Sequence, residues 1–229
     1  MMRASTSWLG LCMAGALAWL QPGAATAQPM LYEQRLPDGF AFVRFANTLP
    51  GPVSVKPDFD DALTLRDDGA ARVTDYRVAE DVANRPVRLS VTEGGRSTEL
   101  RVTIEGGGYN TILLQRQGDA VQAVVVKDQT DYNQVRARLS FYNAVPGCAE
   151  GSLALAPSGQ SVFSKVEPSS MTARSINPAS ARVTAGCGGR QAAALDLGRL
   201  EAGGQYSVWL VAPAGELTSF LVRDRIAAR

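Results

Sequence analysis

The stretch Val135–Asn143, which reads VRARLSFYN and continues into Ala144-Val145-Pro146-Gly147, decides the fold. Apolar and polar side chains alternate along it, which is the two-residue period of a strand with one buried face. The same pattern occurs 96 positions earlier in Val43–Gly51. Four positions of that earlier stretch, Phe45, Asn47, Pro50 and Gly51, correspond to Phe141, Asn143, Pro146 and Gly147. This repeat predicts that the chain contains two copies of one structural unit.

Further matches follow in the same order along the chain. Short runs rich in Val, Leu, Ile and Thr alternate with turn residues at intervals of about 8–12 residues, which is typical of a β-sandwich. The matched segments are Gly94-Gly95-Arg96 with Gly188-Gly189-Arg190, Tyr109 with Tyr206, and Val126-Lys127-Asp128 with Val222-Arg223-Asp224. We therefore predict an all-β chain with two tandem antiparallel β-sandwich domains, residues 28–128 and 129–229, related by internal duplication. A single larger sandwich is the alternative.

The first 27 residues have the features of a secretory signal peptide. Arg3 lies in a short polar segment, an apolar run follows from Trp8 to Leu20, and Ala25-Thr26-Ala27 supplies a small-residue cleavage site. We expect cleavage after Ala27 and export to the periplasm. The apolar run is too short for a membrane span, so the mature protein is expected to have none.

Charge excludes some partner classes. Cleavage removes one charged residue, Arg3, and leaves 22 basic and 22 acidic side chains. A chain of zero formal net charge has no general attraction to nucleic acid or anionic lipid. We expect no nucleic-acid partner.

Two cysteines remain after cleavage, Cys148 and Cys187. Paired thiols in an oxidising compartment usually form a disulfide, and we predict that these two do. Two thiolates alone are a poor zinc site, which needs four ligands.

The sequence predicts no catalytic, cofactor or metal site. It contains no histidine, so neither Ser-His-Asp and Cys-His mechanisms nor histidine metal sites are available. The acidic segment Asp58–Asp61 does not show the facing carboxylates of a glycosidase and is expected to be a solvated turn. Trp209, the one tryptophan after cleavage, lies in a predicted strand and is expected to pack in the core rather than offer a sugar platform.

One face of the strand at Val43 raises a question. If Val43 and Phe45 point into a core, Phe42 and Arg44 share the opposite face, which a half-exposed sheet would present to water. Two interpretations stay open: residues 30–36 fold back over this face, or it contacts a partner.

Two segments resemble a known family. The first comprises Leu31-Tyr32, Pro37, Gly39, Ala41-Phe42-Val43-Arg44 and Asn47, and the second is Arg174-Ser175-Ile176-Asn177-Pro178. Together they resemble the periplasmic alginate O-acetylation proteins of the AlgF family, or counterparts acting on another exopolysaccharide such as cellulose. Cys148 and Cys187 depart from the pattern we expect for that family.

The resemblance implies a non-catalytic periplasmic adaptor. Its partners would be a membrane acyl-transfer protein and periplasmic acetyltransferases that modify an exopolysaccharide, and it could also contact the polysaccharide itself. The candidate partner surface combines Phe42, Arg44, Arg174 and Asn177. The rival hypotheses are a stand-alone polysaccharide-binding module and a secreted esterase with an unfamiliar site.

Overall fold

Within the residues that the structure describes, the N-terminal sandwich has eight strands. We describe residues 36–83 and 85–228 of a computed structural model; the predicted signal peptide lies outside them. The sheet that faces the other sandwich, which we call the inner sheet, has the order β4-β1-β7-β8. The sheet on the far side, the outer sheet, has the order β3-β2-β5-β6. The strands are β1 (Ala41–Asn47), β2 (Val53–Pro57), β3 (Leu63–Leu65), β4 (Arg77–Ala79), β5 (Pro86–Glu93), β6 (Arg96–Thr103), β7 (Tyr109–Gln117) and β8 (Ala120–Asp128), with a 3₁₀ helix at Gly69–Arg72.

The C-terminal sandwich repeats this plan. Its inner sheet has the order β12-β9-β16-β17, and its outer sheet runs β11-β10-β13, with β14 and β15 both paired to β13. The strands are β9 (Ala137–Asn143), β10 (Gly151–Leu155), β11 (Ser161–Val166), β12 (Ser170–Ile176), β13 (Ala179–Cys187), β14 (Arg190–Gln191), β15 (Leu195–Leu200), β16 (Gln205–Val211) and β17 (Thr218–Arg223). The predicted all-β sandwich fold is confirmed, and the predicted division at residue 129 falls between β8 and β9.

Strand register reproduces the duplication residue by residue. Phe45 lies opposite Ile112 in the β1/β7 pair, and Phe141 lies opposite Val208 in the β9/β16 pair, a shift of 96 in both strands. The outer sheets agree as well: Pro57 is opposite Leu89, and Leu153 is opposite Ala185, again a shift of 96 in both strands. Because both strands of a pair are shifted by the same number of residues, the two halves share one topology.

Two details differ from the sequence-based expectation. The β1/β7 and β9/β16 pairs are parallel, although the strands named for each sheet otherwise pair antiparallel. The match of Tyr109 with Tyr206 is one residue out of register, because Tyr109 corresponds to Gln205. A slip of one residue turns a side chain to the other face of a strand, so Tyr206 packs in the C-terminal core while Tyr109 stacks on Phe42.

Each sandwich has its own apolar core between its two sheets. Val43 and Phe45 of β1 pack in the first, and Leu139 and Phe141 of β9 pack in the second, as the alternating pattern predicts. At the end of β1, the Asn47 side-chain amide donates to the carbonyls of Gly51 and Arg66. The Asn143 amide donates to the carbonyls of Cys148 and Val166 in the same way, which explains the repeated asparagine.

A third apolar cluster lies between the two inner sheets. Both sandwiches belong to one compact unit. The cluster is made of corresponding side chains from the two halves: Ala46 and Tyr142, Leu113 and Trp209, and Val126 and Val222. The sandwiches therefore meet face to face with pseudo-two-fold symmetry, much as the subunits of a symmetric dimer do.

The predicted disulfide is present. Cys148 and Cys187 are bonded, with their Cα atoms 5.7 Å apart. Cys187 ends β13, and Cys148 precedes β10, which pairs with β13. The bond ties the β9–β10 connection to the outer sheet of the C-terminal sandwich.

Candidate functional site

A group of buried polar side chains lies within the contact between the inner sheets. We call it the inter-sandwich cluster. It draws residues from both halves, and the strands β1, β7, β8, β9 and β16 position most of them. Its members are Arg44, Tyr76, Thr111, Asp128, Tyr142, Ser207 and Asp224.

Arg44 is the centre of this cluster. Only 1% of its surface is exposed. Its Nη1 donates to Oδ1 of Asp224 at 2.6 Å, its Nη2 to the hydroxyl of Tyr142 at 2.7 Å, and its Nε to Oγ1 of Thr111 at 2.8 Å. The guanidinium also lies over the ring of Tyr76, 4.3 Å from its centroid, in the geometry of a cation–π contact. One side chain of the first half is thus bonded to two residues of the second.

Asp128 is the second anchor, and it accepts three hydrogen bonds. Its Oδ2 accepts from the Tyr76 hydroxyl at 2.7 Å and from Thr111 at 2.6 Å, and its Oδ1 accepts from the Tyr142 hydroxyl at 2.6 Å. Asp224 is its counterpart in the second half and accepts from Ser207, as Asp128 does from Thr111. The pairs Thr111–Asp128 and Ser207–Asp224 are related by the 96-residue repeat.

Burial is the largest single influence on each shifted pKa in the cluster, although it does not always set the direction. It raises the pKa of Asp128, against the opposing effects of Arg44 and the three hydrogen bonds. Burial also raises the pKa of the Tyr76 and Tyr142 hydroxyls, so both remain protonated donors. For Arg44, burial alone would lower the pKa, but the groups it faces, including Tyr142 and Asp224, raise it overall. The guanidinium therefore stays charged.

The arrangement suits joining the halves better than chemistry on a reactant. Buried ionisable groups with shifted pKa values are typical of active sites, but structural ion-pair networks show the same property. Here the hydroxyls of Thr111 and Tyr142 each accept from Arg44 and donate to Asp128. Among the described residues, the buried side-chain polar atoms without a hydrogen-bond partner, Asn110 Oδ1 and Ser219 Oγ, belong to other residues. A reactant would have to displace bonds the cluster already makes.

Arg44 is therefore not part of an exposed surface, and its assignment to a partner surface was wrong. Arg44 lies on the face of β1 opposite the core, as predicted, but the C-terminal sandwich covers that face. Phe42, two residues earlier, is half-buried and stacks on Tyr109 with ring centroids 4.3 Å apart. Trp209 is fully buried and stacks on Tyr142 at 4.0 Å, as its predicted packing role requires.

Arg174 and Asn177 lie elsewhere. Both are exposed, Arg174 within β12 and Asn177 just beyond its end. Arg174 is opposite Leu139, whose side chain packs in the C-terminal core, so it shares the face of the sheet that points away from the N-terminal sandwich. Its Nη1 donates to the carbonyl of Val162 at 3.4 Å. The structure thus does not unite Arg174 with Phe42 in one surface.

A groove runs between β11 and β12. Its volume is about 540 Å³. Val162–Glu167 line one wall and Ser170–Thr172 the other, with Lys165 and Glu167 as its charged residues. We call it the β11–β12 groove.

In the acidic segment Asp58–Asp61, two aspartates pair with nearby arginines. Asp58 Oδ2 lies 3.1 Å from Arg85 Nη1, and Asp60 Oδ2 lies 3.1 Å from Arg77 Nη1. In residues 36–83 and 85–228, histidine, cysteine, aspartate and glutamate side chains form no group of three or more that could hold a metal ion. The same residues contain no helix with the length and apolarity that a membrane crossing needs.

Comparison with known proteins adds no relative. No protein-family model matches this sequence, and no curated protein matches it significantly.

Sequence reasoning missed the residues that bond with Arg44. The repeated Val-Lys-Asp and Val-Arg-Asp segments mark Asp128 and Asp224 as equivalent, but they do not show that both carboxylates lie near Arg44. The available signal for these partners was a carboxylate that recurs at the end of an apolar strand in both halves. Tyr76 gave no such signal because its partners are distant in sequence.

Proposed function

We propose that the protein is a non-catalytic periplasmic accessory protein for O-acetylation of an exopolysaccharide. In this role it is an adaptor that bridges a membrane acyl-transfer protein and periplasmic acetyltransferases. The resemblance of two segments to the AlgF family suggests the pathway.

The observation that carries the adaptor role is the internal use of the inter-sandwich cluster. A chain without histidine has few groups that could act as a base near neutral pH, and its buried carboxylates are the natural substitutes. Asp128 accepts three internal hydrogen bonds and Asp224 is ion-paired with Arg44. With those groups committed to holding two sandwiches together, the molecule is suited to present fixed surfaces to partners.

The exposed family-like segment supplies one such surface. Arg174 lies on the edge of an inner sheet, and Asn177 follows at the end of the strand. Among residues 36–83 and 85–228, Arg174 makes one long hydrogen bond, to the carbonyl of Val162, and its other donors have no partner there.

Two measurements test the proposal. The purified mature chain should neither hydrolyse acetyl esters nor transfer acetyl groups, while deletion of its gene should lower acetylation of the exported polymer without stopping polymer synthesis. Strong esterase activity of the isolated protein, abolished by D128N without loss of fold, would overturn it.

A polysaccharide-binding module is the second candidate, favoured by the half-buried Phe42–Tyr109 stack. Aromatic faces of this kind pack against sugar rings. Retardation of the protein alone in an affinity gel, lost in F42A, would favour this function over the adaptor.

A further inference from the structure

The outer edge of β12 carries backbone groups without partners. Alternate residues of β9 donate to β16, as Arg138 does to Gly204 and Ala144 to Leu210. The intervening residues of β9 must then bond to β12, opposite Ser170, Thr172 and Arg174. The N–H and C=O groups of Met171, Ala173 and Ser175 consequently point away from the sheet. Within the described part of the chain, one of these groups has a partner: the Ser175 carbonyl accepts from Arg136 Nη2 at 3.2 Å.

The other half of the molecule protects the corresponding edge. There, β4 takes the place of β12, and Tyr76 directly precedes β4. The Tyr76 N–H donates to the carbonyl of Arg225 at 2.9 Å, and its carbonyl accepts from the N–H of Ala227 at 2.8 Å. The 3₁₀ helix before it buries Arg72, which donates to the carbonyls of Asn47 and Leu49.

The C-terminal half has neither form of cover. Only residues 167–169 connect β11 to β12, so no helix fits there, and the β11–β12 groove stays open. The segment after β8, which corresponds to the tail at Arg225–Ala227, leads into β9 instead. A seven-residue edge strand with no proline, no lysine and one arginine is an unprotected template for strand pairing.

We propose that two copies of the chain associate through β12, pairing the two strands antiparallel about a two-fold axis at Ala173. In this register Ala173 faces Ala173 of the second copy, and Met171 faces Ser175. All six outward N–H groups, three from each copy, then meet an outward carbonyl. The Ser175 carbonyl can keep its bond from Arg136, because a carbonyl oxygen has two lone pairs.

Charge is compatible with this register. Arg174, the one charged residue of β12, falls opposite Thr172 of the second copy and not opposite another arginine. Thr172 lines the groove that also contains Glu167 and Lys165. The carboxylate of Glu167 in one copy can therefore attract Arg174 of the second copy. Lys165, in the same groove, is the charge that repels it. This inference does not rest on the proposed function.

The first test is the mass of the mature protein by sedimentation velocity across a concentration series. The expected species has twice the mass of one chain. A173P should return it to a monomer, because proline removes only an outward N–H and is tolerated on a strand edge. A123P is the matched control: Ala123 lies on the outer edge of β8, where its N–H also points away from the ladder, and this variant should remain dimeric.

The second test probes register and does not depend on a proline. T172E places a carboxylate opposite Arg174 in both symmetric pairs and should tighten the dimer by roughly 2- to 30-fold, while T172R should weaken it by a similar factor. A monomer at every concentration, a dimer that survives A173P in folded form, or the reverse order of T172E and T172R would each overturn the proposal. Binding of an unrelated protein segment to a monomeric chain at β12 would also overturn it.

Discussion

Replacing Arg44 by methionine tests whether the inter-sandwich cluster holds the molecule together. Methionine retains much of the arginine volume, so the cavity contribution is small and the change mainly removes a charge and its donors. Removing one partner of a buried ion pair costs about 3–5 kcal/mol, because the other charge is left buried without compensation. Here the abandoned groups are Asp224, bonded at 2.6 Å and nearly buried, and the more deeply buried Asp128.

We expect R44M to lower the free energy of unfolding by about 3–5 kcal/mol, a large part of the 5–15 kcal/mol typical of a folded protein. Urea unfolding followed by Trp209 fluorescence is the assay. Trp209 is the one tryptophan after residue 27, it is fully buried, and its ring lies 5.2 Å from the Arg44 guanidinium. Emission therefore reports directly on the contact between the sandwiches.

Two companion variants make the result interpretable. R88M alters an arginine whose side chain is 69% exposed, and it should change stability by no more than about 0.5 kcal/mol. In R44M/D224N the second change removes the orphaned charge, so the double variant should lose less than the sum of the single losses. A cost below about 1 kcal/mol for R44M, or strict additivity with D224N, would refute the view that this ion pair joins the halves.

Three further predictions concern pH, the disulfide and the exposed edge. Burial raises the pKa of Asp128 in the folded state above its ordinary value of 3.8. The folded state therefore binds a proton at Asp128 more tightly than the unfolded state does. The contribution of Asp128 to stability is therefore greatest below pH 3.8 and is lost as pH rises through the folded pKa; D128N should remove this part of the pH dependence of urea unfolding. C148S or C187S should cost on the order of 2–5 kcal/mol, since the bond closes a loop of 39 residues, with equal effects from either change and no further loss in the double variant. R174A should lower polymer acetylation in cells while leaving the melting temperature unchanged, and unfolding of that variant would instead give Arg174 a structural role.

The sequence contained most of the information on each sandwich taken separately. Alternation along β1 and β9 identified the side chains that enter each core, and the ordered repeats predicted equivalent strands. The disulfide followed from the presence of two cysteines in a chain that the sequence predicts to be exported. These features are local in sequence or repeat along it, which is why a single chain reveals them.

The relation between the sandwiches was not predictable in the same way. A two-residue period shows that a strand has two faces, but it does not show what covers the face opposite the core. The face bearing Phe42 and Arg44 could therefore not be distinguished from a solvent-exposed one. Arg44 and Asp224 are 180 positions apart, and no local pattern connects them. The match of Tyr109 with Tyr206 was wrong for a similar reason. Without the strand pairing, two tyrosines near the same place in each repeat were matched by residue type and not by register.

The single arginine at the centre of the contact makes the two halves unequal. The position corresponding to Arg44 in the second half is Ser140, so one guanidinium lies near the pseudo-axis and faces two carboxylates. A self-assembled pair of C-terminal halves would bury Asp224 twice and would have serine at both positions equivalent to Arg44. That half therefore depends on its neighbour for charge compensation. Because the two halves are joined in one chain, Asp224 always has the N-terminal half, and with it Arg44, as its neighbour.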